Sequence, residues 1–494
     1  MMLELPIKTK LTNLNKDSYL YVFLIGLFLS LIFQTRSTIP ALYYPSSLVA
    51  LAIICSVFFL PPRLLIYPLF LLIICMPDLT QTFEEIEELG VVSVASPWQF
   101  SFSILSPAFF VFGSLLVITI RLFSFPIAKS DRSILVFFFI VSTIVSFIFG
   151  FFQESFSRFV ADAKIPMFFC IGLIIFGNYY KRYPSELLIS CQVFILLAAG
   201  NYSVDIFKFF FLRSEGIEKV SYSSLSLDSA KGLITIFSFW AIAGLIKGKN
   251  IIVNIVLVLL TLYVLLAYQT RWLIITFVLG LLVIAFAVGF KNAMIVLTSI
   301  VLLFCITIPI IIKVAPEVWE TAMFRLSFIG NLTSGSSLED VEIVRAGSIY
   351  NSMNLLFERK AFLTGMGYGS WYTDNYFPMP NLTTAAFDED ALNMGKYYRV
   401  HDFLFNFLFK FGIIGTGIYI SCYLKPIRRL WKLKKQILAD SRYNFVFIAI
   451  IGLCPMVITY MWFTGKGLLF GALFVVISRE WARVFKEKIT TREA

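Results

Sequence analysis

Long apolar runs that carry almost no charge recur along the whole of this chain, and they limit what it can fold into. Each is close to the ~20 residues that one helix needs to cross the hydrocarbon core of a bilayer. The runs are too long and too uniform to be the alternating strands of a lipid-facing barrel. The predicted spans are residues 19–34, 44–60, 63–77, 103–123, 133–152, 165–179, 185–200, 229–246, 250–268, 271–290, 292–313, 402–423, 443–460 and 463–479. We therefore predict an all-α polytopic membrane protein with about 14 (12–14) transmembrane helices.

The composition agrees with a bilayer rather than water as the solvent. Hydrophobic residues make up 59% of the 494 positions and charged residues only 14%, whereas a soluble domain is about one quarter charged. A chain of this kind cannot cover its surface with polar groups in water. The net charge of +11 therefore does not indicate a nucleic-acid partner.

Lys and Arg are distributed unevenly between alternate connections of the predicted spans. With the N-terminus in the cytoplasm, the inner connections and tails hold a large excess of basic over acidic residues, most densely in 424–442. The outer connections hold more acidic than basic residues, as in the acidic segment 84–88. Because positive charge is retained on the cytoplasmic side of membrane proteins, both termini are predicted to be cytoplasmic.

One connection, residues 314–400, is much longer than the others and lies on the predicted outer side. It is rich in aromatic residues and Met, which argues against disorder. Positions 336–340 indicate a helix start, and the helix should run to about Lys360. The three glycines of 365–369 then indicate an irregular turn. The predicted parts of this single integral-membrane domain are residues 1–313 with helices 1–11, the outer loop 314–400, and residues 401–494 with helices 12–14 and a tail.

Three polar residues stand out on the predicted outer face because the spans are almost bare of charge. Arg271 opens a span, Arg345 lies in the loop helix, and His401 stands where the loop returns to the membrane. Arg binds phosphate oxygens through paired hydrogen bonds, and His exchanges a proton near neutral pH. Alternatives stay open: Arg271 and His401 as interfacial anchors, and Arg345 as part of a solvated helix face. Ser348 and Ser352 share the face of Arg345 and would give it a weak polar stripe.

Two further groups of polar residues carry less weight. Asp388 and Asp390 have the spacing that nucleotide-sugar transferases use for a divalent metal, but in an outer loop we expect a solvated acidic turn. Asp402, Asn406 and Lys410 share one face of a span, where we expect an ion pair bridged through the Asn. Because Walker, Rossmann and nucleophile-elbow motifs are missing from the sequence, we predict no cofactor. Because no outer-face carboxylate pair has persuasive ligand spacing, we also predict no metal.

Between about 260 and 420 the chain combines short motifs in a fixed order on the predicted outer side. In sequence they are Thr-Arg at 270–271, Arg345, Gly-x-Gly-x-Gly at 365–369, His401, and Gly-Ile-Ile-Gly at 412–415. In order, spacing and sidedness they resemble the O-antigen ligase/polymerase superfamily of bacterial integral-membrane glycosyltransferases. The match covers roughly a third of the chain, and the many-helix architecture covers the rest.

The resemblance implies a large hydrophobic (GT-C-like) glycosyltransferase that takes a polyprenyl-diphosphate-linked glycan as donor. By position, Arg271 and Arg345 would stabilise the departing diphosphate without a metal, and the sugar would be transferred with inversion. His401 would accept the proton of the attacking hydroxyl or hydrogen-bond the diphosphate. Two residues depart from the pattern: Asp402 stands where the family usually has Asn, and Lys410 where a residue is often acidic.

Three functions follow as hypotheses. The first is a polymerase that joins lipid-linked repeat units into O-antigen or exopolysaccharide, with its active site facing the periplasm from the bacterial inner membrane. The second is an O-antigen ligase that transfers glycan to a lipid A-core acceptor. The third, a glycolipid flippase or transporter, would require related halves and midplane ionisable residues. Expected partners are the lipid bilayer, the donor, a glycan or lipid A-core acceptor, a chain-length regulator and a flippase, but no nucleic acid.

Overall fold

A computed structural model describes most of the helical parts of the chain. The described residues are 16–35, 43–75, 107–123, 129–149, 156–214, 238–289 except 240, 247, 249–250 and 268–270, scattered positions within 294–313, and 340–379, 389–400, 402–439, 444–459 and 465–493. Within these residues the secondary structure is helical, and an isolated antiparallel bridge between Tyr372 and Tyr397 is the only β pairing. The prediction of an all-α chain is confirmed for the described residues.

The described part of the chain contains a series of helices. They are α1 Lys16–Thr35, α2 Tyr43–Phe59, α3 Ile66–Cys75, α4 Pro107–Leu122, α5 Lys129–Leu135, a π-helical stretch Val136–Val141, α6 Ser142–Ile148, α7 Phe156–Arg182, α8 Glu186–Ser214, α9 Ile251–Ala267, α10 Arg271–Val288, α11 Asp340–Glu358, α12 Glu389–Met394, α13 Phe403–Lys432, α14 Lys434–Ala439, α15 Asn444–Thr459 and α16 Gly465–Glu493.

Two described helical segments are long and apolar enough to cross a membrane. They are Glu186–Val204 within α8 and Leu404–Lys432 within α13. Other apolar helices of the described chain are shorter, among them Ser18–Phe33 and Ile275–Val288. Length and composition therefore identify two candidate spans directly, and the count of fourteen stays a prediction.

Several helices extend beyond the apolar runs that predicted them. Helix α7 begins at Phe156 rather than near 165, and α8 continues to Ser214. Helix α13 continues to Lys432, through much of the basic segment predicted as an inner loop. Hydropathy marks where an apolar stretch ends, whereas Lys, Arg and other straight-chain residues continue a helix readily. The predicted connections at these places are therefore partly helical.

The chain forms two compact units, of which the first comprises Met1–Phe123 and Ile175–Phe237. Its helices α1 and α8 approach each other through glycines. A Cβ atom added at Gly26 would lie 2.8 Å from the carbonyl oxygen of Leu197, and one at Gly200 would lie 2.6 Å from that of Phe23. Small residues at a helix crossing allow the two backbones to touch, as is common between membrane helices.

The second unit comprises Ser124–Ile174 and Ser238–Ala494. Part of its core is aromatic: the ring centroids of Phe138 and Phe411 are 5.1 Å apart, and those of Phe407 and Phe411 are 4.5 Å apart. This unit contains the described part of the outer loop and helix α13. All the contacts of the candidate site described below lie within it.

Candidate functional site

Helix α13 is interrupted at the start of the Gly-Ile-Ile-Gly motif of residues 412–415. Gly412 has φ 63° and ψ −172°, so the helix breaks there and resumes after it. This backbone conformation is essentially confined to glycine. The break frees backbone groups on either side of Gly412, and inside a membrane such groups need partners within the protein.

The loop 314–400, predicted to be external, supplies partners for the N–H groups that follow the break. Ile413 donates to the carbonyl oxygen of Phe362 at 3.0 Å, and Ile414 donates to that of Leu363 at 3.1 Å. The segment just before the glycine-rich turn therefore runs along α13 at the point where the helix is interrupted.

The carbonyl groups that precede the break are also paired with the loop. Phe409 accepts from the N–H of Met366 at 2.9 Å, and Lys410 accepts from that of Gly367 at 2.8 Å. Together, four backbone hydrogen bonds join the loop segment 362–367, which runs into the Gly-x-Gly-x-Gly turn, to residues 409–414 on the two sides of the break. The turn completes the hydrogen bonding of a broken helix.

The predicted irregular turn is confirmed by its backbone angles. Gly365, Gly367 and Gly369 have φ values of 74°, 81° and 74°, a region that side chains disfavour. The approach is also close: a Cβ atom at Gly365 would overlap the carbonyl group of Lys410, and one at Gly367 would lie 2.7 Å from the backbone nitrogen of Ser146.

Every backbone N–H from Gly365 to Gly369 donates to an acceptor within the protein. The acceptors, in order, are the carbonyl oxygens of Ala361, Phe409 and Lys410, the hydroxyl of Ser146 and the carboxylate of Asp162. Glycine-rich loops that cradle phosphate keep these groups pointed at the ligand. This turn is therefore a structural joint, and an anion bound nearby would have to be held by side chains.

Lys410 is buried, with its side chain 4% exposed, and forms an ion pair. Its Nζ atom donates to Asp162 Oδ2 at 2.6 Å and to the carbonyl oxygen of Ser370 at 2.7 Å. The expected pairing with Asp402 through Asn406 is wrong. The side chain of Lys410 instead bonds the turn and a carboxylate of α7, while the other two residues have different partners.

Asp402 and Asn406 fix the chain on the two sides of position 401. The Asp402 carboxylate caps α13 by accepting from the N–H of Phe405 at 3.1 Å. Asn406 Oδ1 accepts from the N–H of Val400 at 3.1 Å. Asn and Asp are equally good helix N-caps, so the departure from the family pattern at Asp402 keeps this capping capacity.

Helix α11 confirms the predicted loop helix but not the predicted polar stripe. Arg345 is exposed, whereas Ser348 and Ser352 are fully buried. Their hydroxyls donate to the carbonyl oxygens of Arg345 and Ile349, at 2.8 and 3.0 Å, so they need no solvent. These serines belong to the packed side of the helix, and only Arg345 remains on the outside.

The turn is linked to the segment that leads into position 401. The N–H and carbonyl groups of Tyr372 and Tyr397 exchange two hydrogen bonds, of 3.0 and 2.8 Å. The Tyr372 hydroxyl donates to the carbonyl oxygen of Arg399 at 3.1 Å. Burial raises the pKa of Tyr372 and that of Tyr368. Both phenols therefore stay protonated and act as donors, Tyr368 to the carbonyl oxygen of Phe138.

The three predicted site residues are described to different extents. Arg271 is the first residue of α10 and Arg345 lies on the exposed side of α11. His401 and the side chain of Arg271 lie outside the described residues. Their action as one unit therefore stays a prediction.

The predicted absence of a metal concerns another part of the loop. Asp388 and the side chain of Asp390 lie outside the described residues. Among the residues that are described, no group of three or more His, Cys, Asp or Glu could hold a metal ion. Metal independence stays a prediction.

Sequence reasoning missed Asp162 and Ser146, which both bind the turn. A signal for Asp162 was present: a Lys within an apolar run needs an oppositely charged partner, and Asp162 stands just before the predicted span 165–179. Ser146 is an ordinary hydroxyl in an apolar run, and no local pattern marks it.

The chain was also compared with known proteins. No protein-family model matches it, and no match is found among curated proteins or solved structures. Its own residues and their contacts are therefore the basis for assigning a function.

Proposed function

We propose that this protein is an integral-membrane glycosyltransferase that polymerises polyprenyl-diphosphate-linked repeat units at the outer face of the bacterial inner membrane. One observation carries the proposal: the loop segment 362–367, which contains the start of the glycine-rich turn, is hydrogen-bonded backbone to backbone to residues 409–414 of α13, around the start of the Gly-Ile-Ile-Gly motif. These two motifs are distant in the chain and belong to the set on which the resemblance rests. Their joining supports a single site built from the loop and the helix.

The arrangement around the turn favours side chains as the ligands of a diphosphate. Because the turn uses its own N–H groups internally, the charge of the leaving group has to be met elsewhere. In the proposed mechanism Arg271 and Arg345 hold the diphosphate through paired donors as its charge develops. His401, whose chain neighbours Val400 and Asp402 are themselves hydrogen-bonded, accepts the proton of the attacking hydroxyl or hydrogen-bonds the diphosphate.

The proposal includes fourteen spans with both termini in the cytoplasm. Its first support is the distribution of Lys and Arg. Its second is that Asp162 is hydrogen-bonded to Gly369 and Lys410, because all three residues are predicted to lie on the outer side of the membrane or in the outer half of a span. Reporter tags at Lys435 and at the C-terminus should report the cytoplasm, and one near Asn381 the outer compartment. A cytoplasmic report from Asn381 would place the site on the wrong face for the donor.

The direct test is turnover by the purified protein in proteoliposomes that contain a polyprenyl-diphosphate-linked repeat unit. A ladder of longer glycans should form in excess EDTA. Turnover should fall about 10²–10³-fold in Arg271→Lys and Arg345→Lys, because Lys cannot reproduce the planar paired donors of Arg. A similar loss is expected for His401→Ala, which removes the group that accepts the proton or bonds the diphosphate. Arg428→Lys, on the predicted inner side, is the matched control and should be silent. An interfacial-anchor role predicts instead that Arg271→Lys is silent.

Surface polysaccharide from a deletion strain distinguishes polymerase from ligase. Loss of the length ladder with a single repeat unit still attached indicates a polymerase. Loss of all attached glycan indicates a ligase that acts on a lipid A-core acceptor. Either result is compatible with the same donor and the same residues.

A glycolipid transporter is the second candidate, and two features of the structure favour it. Helix α13 is discontinuous at Gly412, and the buried Lys410 forms an ion pair with the partly exposed Asp162 next to the break. Discontinuous helices and embedded ionisable residues are typical of transport sites. In the proteoliposome assay a transporter would move the lipid-linked glycan between leaflets without changing its length.

A further inference from the structure

We propose that Lys410 and Asp162 are positioning residues: their ion pair fixes the glycine-rich turn, and through it the segment that leads into His401. The pair would then set the turnover number of glycosyl transfer and leave the affinity for the lipid-linked donor unchanged. This inference rests on the proposed function, but its first step, the anchoring of the turn, can be tested without it.

Lys410 binds the turn at two separate points. Its own carbonyl oxygen accepts from the N–H of Gly367 at 2.8 Å, and its Nζ atom donates to the carbonyl oxygen of Ser370 at 2.7 Å. The backbone contact would survive a change of side chain, but the contact to Ser370 would not. The side chain of Lys410 therefore holds the far end of the turn.

Asp162 joins three elements of the second unit through one oxygen atom. Its Oδ2 accepts from Lys410 Nζ at 2.6 Å and from the N–H of Gly369 at 2.8 Å. It lies in α7, so a single carboxylate links α7, α13 and the turn. With side-chain exposures of 4% for Lys410 and 24% for Asp162, water screens the pair weakly, and removal of one partner leaves the other charge uncompensated.

The end of the turn continues directly into the path that reaches position 401. Ser370 is followed by Trp371 and by Tyr372, which is paired with Tyr397 through two backbone hydrogen bonds. Three residues after Tyr397 comes Val400, whose N–H is held by Asn406. Displacement of the turn would therefore also displace residues 397–400, which lead to His401.

Lys410 acts through the turn and not on the substrate. It is buried with two partners already bonded, so contact with a diphosphate would require it to leave both. Its charge, opposite to that often found at this position in the resembled family, has its counterpart in Asp162. A misplacement of a reacting group by about 1 Å can cost about 10²-fold in rate, which is the size of effect expected here.

The first experiment measures amide hydrogen exchange of the full-length protein in lipid nanodiscs without substrate. Residues 362–370 should be protected in the wild type and should exchange faster in Lys410→Met and in Asp162→Ala. Helix α11, residues 340–358, should keep its protection and serves as the internal control. Unchanged exchange of 362–370 in both variants would overturn the anchoring.

The second experiment measures kcat and KM for the lipid-linked donor with the same proteins. Lys410→Met and Asp162→Ala should lose about 10²-fold in kcat with an unchanged KM. Lys410→Arg keeps a hydrogen-bond donor and Asp162→Asn keeps an acceptor, so both should lose less in kcat. These two variants provide the readout if Lys410→Met and Asp162→Ala fail to fold. Glu186→Gln, at the ion pair of the first unit, should leave kcat unchanged. A loosened turn with wild-type kcat, or a loss confined to KM, would overturn the positioning role.

The two experiments separate this inference from the proposed function. A wild-type protein without transferase activity, in which Lys410→Met still loosens residues 362–370, would refute the proposed function while the anchoring stands. An active wild type whose turn is indifferent to both variants would refute the anchoring while the proposed function stands.

Discussion

Each compact unit contains a carboxylate that pairs with a cation, and the two pairs differ in what they hold. In the first unit Glu186 pairs with Arg63 and accepts from the Tyr67 hydroxyl at 3.2 Å. The Glu186 side chain is 5% exposed, but that of Arg63 is 45% exposed. In the second unit both partners, Lys410 and Asp162, lie mostly inside. The Arg63–Glu186 pair is partly exposed and joins the region before α3 to the start of α8. The Lys410–Asp162 pair lies next to the break in α13 and binds the glycine-rich turn.

Glycines of the two units can also be compared by what they make possible. Gly26 and Gly200 lie within continuous helices and serve a close crossing of α1 and α8. Gly365 and Gly412 have positive φ angles and bring a turn against an interrupted helix. Gly26 and Gly200 supply space alone, whereas Gly365 and Gly412 supply both space and backbone freedom. Two membrane helices can pack closely when glycine supplies space alone. A loop that replaces the hydrogen bonds of a broken helix also needs the backbone freedom of glycine.

The largest effect that would test this comparison is expected for Gly412→Ala. A Cβ atom there would overlap the backbone of Leu363 and Gly365, and the backbone angles are essentially reserved for glycine. We expect the turn to leave α13, with loss of glycan polymer and loss of exchange protection over 362–370.

Two controls separate the causes of that effect. Gly417→Ala lies in the same helix with open space around it, and Gly395→Ala has φ 62° with open space. Gly417→Ala should be silent, and Gly395→Ala should cost only the backbone strain, about 1–2 kcal/mol. Normal polymer from Gly412→Ala would show that the junction of turn and helix is dispensable.

Gly200→Ala should have the next largest effect, and it should act on stability alone. The added methyl group would meet the backbone of α1 at Phe23 and Leu27, and overpacking of this kind typically costs about 1–3 kcal/mol. We expect a lower thermal unfolding temperature in detergent with unchanged turnover per folded molecule. Gly113→Ala in α4, with nothing near its Cβ position, is the matched control. A selective loss of turnover from Gly200→Ala would remove the functional contrast between the units.

A third prediction concerns Asn351, which is fully buried in α11. Its Oδ1 accepts from the N–H groups of Tyr376 and Phe377 at 3.1 and 2.8 Å, and its Nδ2 donates to the Phe377 carbonyl oxygen at 2.8 Å. Asn351→Ala removes three hydrogen bonds worth about 1 kcal/mol each, so residues 371–379 should exchange faster while 362–370 remain protected. Asn354→Ala, which loses one exposed bond within the helix, should change neither segment. Faster exchange of 362–370 in Asn351→Ala would mean that the loop unfolds as one body.

The sequence predicted those parts of the site that local rules determine. The loop helix observed at Asp340–Glu358 and the irregular turn followed from residue types over a few positions. The partner of Lys410 did not follow, because Asp162 is far away in the chain and nearer carboxylates such as Asp402 were available. The burial of Ser348 and Ser352 was also missed, since helical spacing groups residues on one face without saying whether that face meets water.

The smallest effect should come from Asp402, whose replacement tests whether the departure from the family pattern matters. The carboxylate accepts from the N–H of Phe405 and so caps α13. Asn offers an equivalent oxygen, so Asp402→Asn should leave turnover and stability near the wild-type values, whereas Asp402→Ala should cost about 1 kcal/mol of stability. Chemical unfolding of the two variants, together with their donor turnover, measures both quantities. A large loss of turnover in Asp402→Asn with normal stability would indicate that the carboxylate charge itself acts at the site, beside His401, and not only on the helix end. In that case the start of α13 at Asp402 would differ from the glycine-rich turn, because charge as well as backbone geometry would set its function.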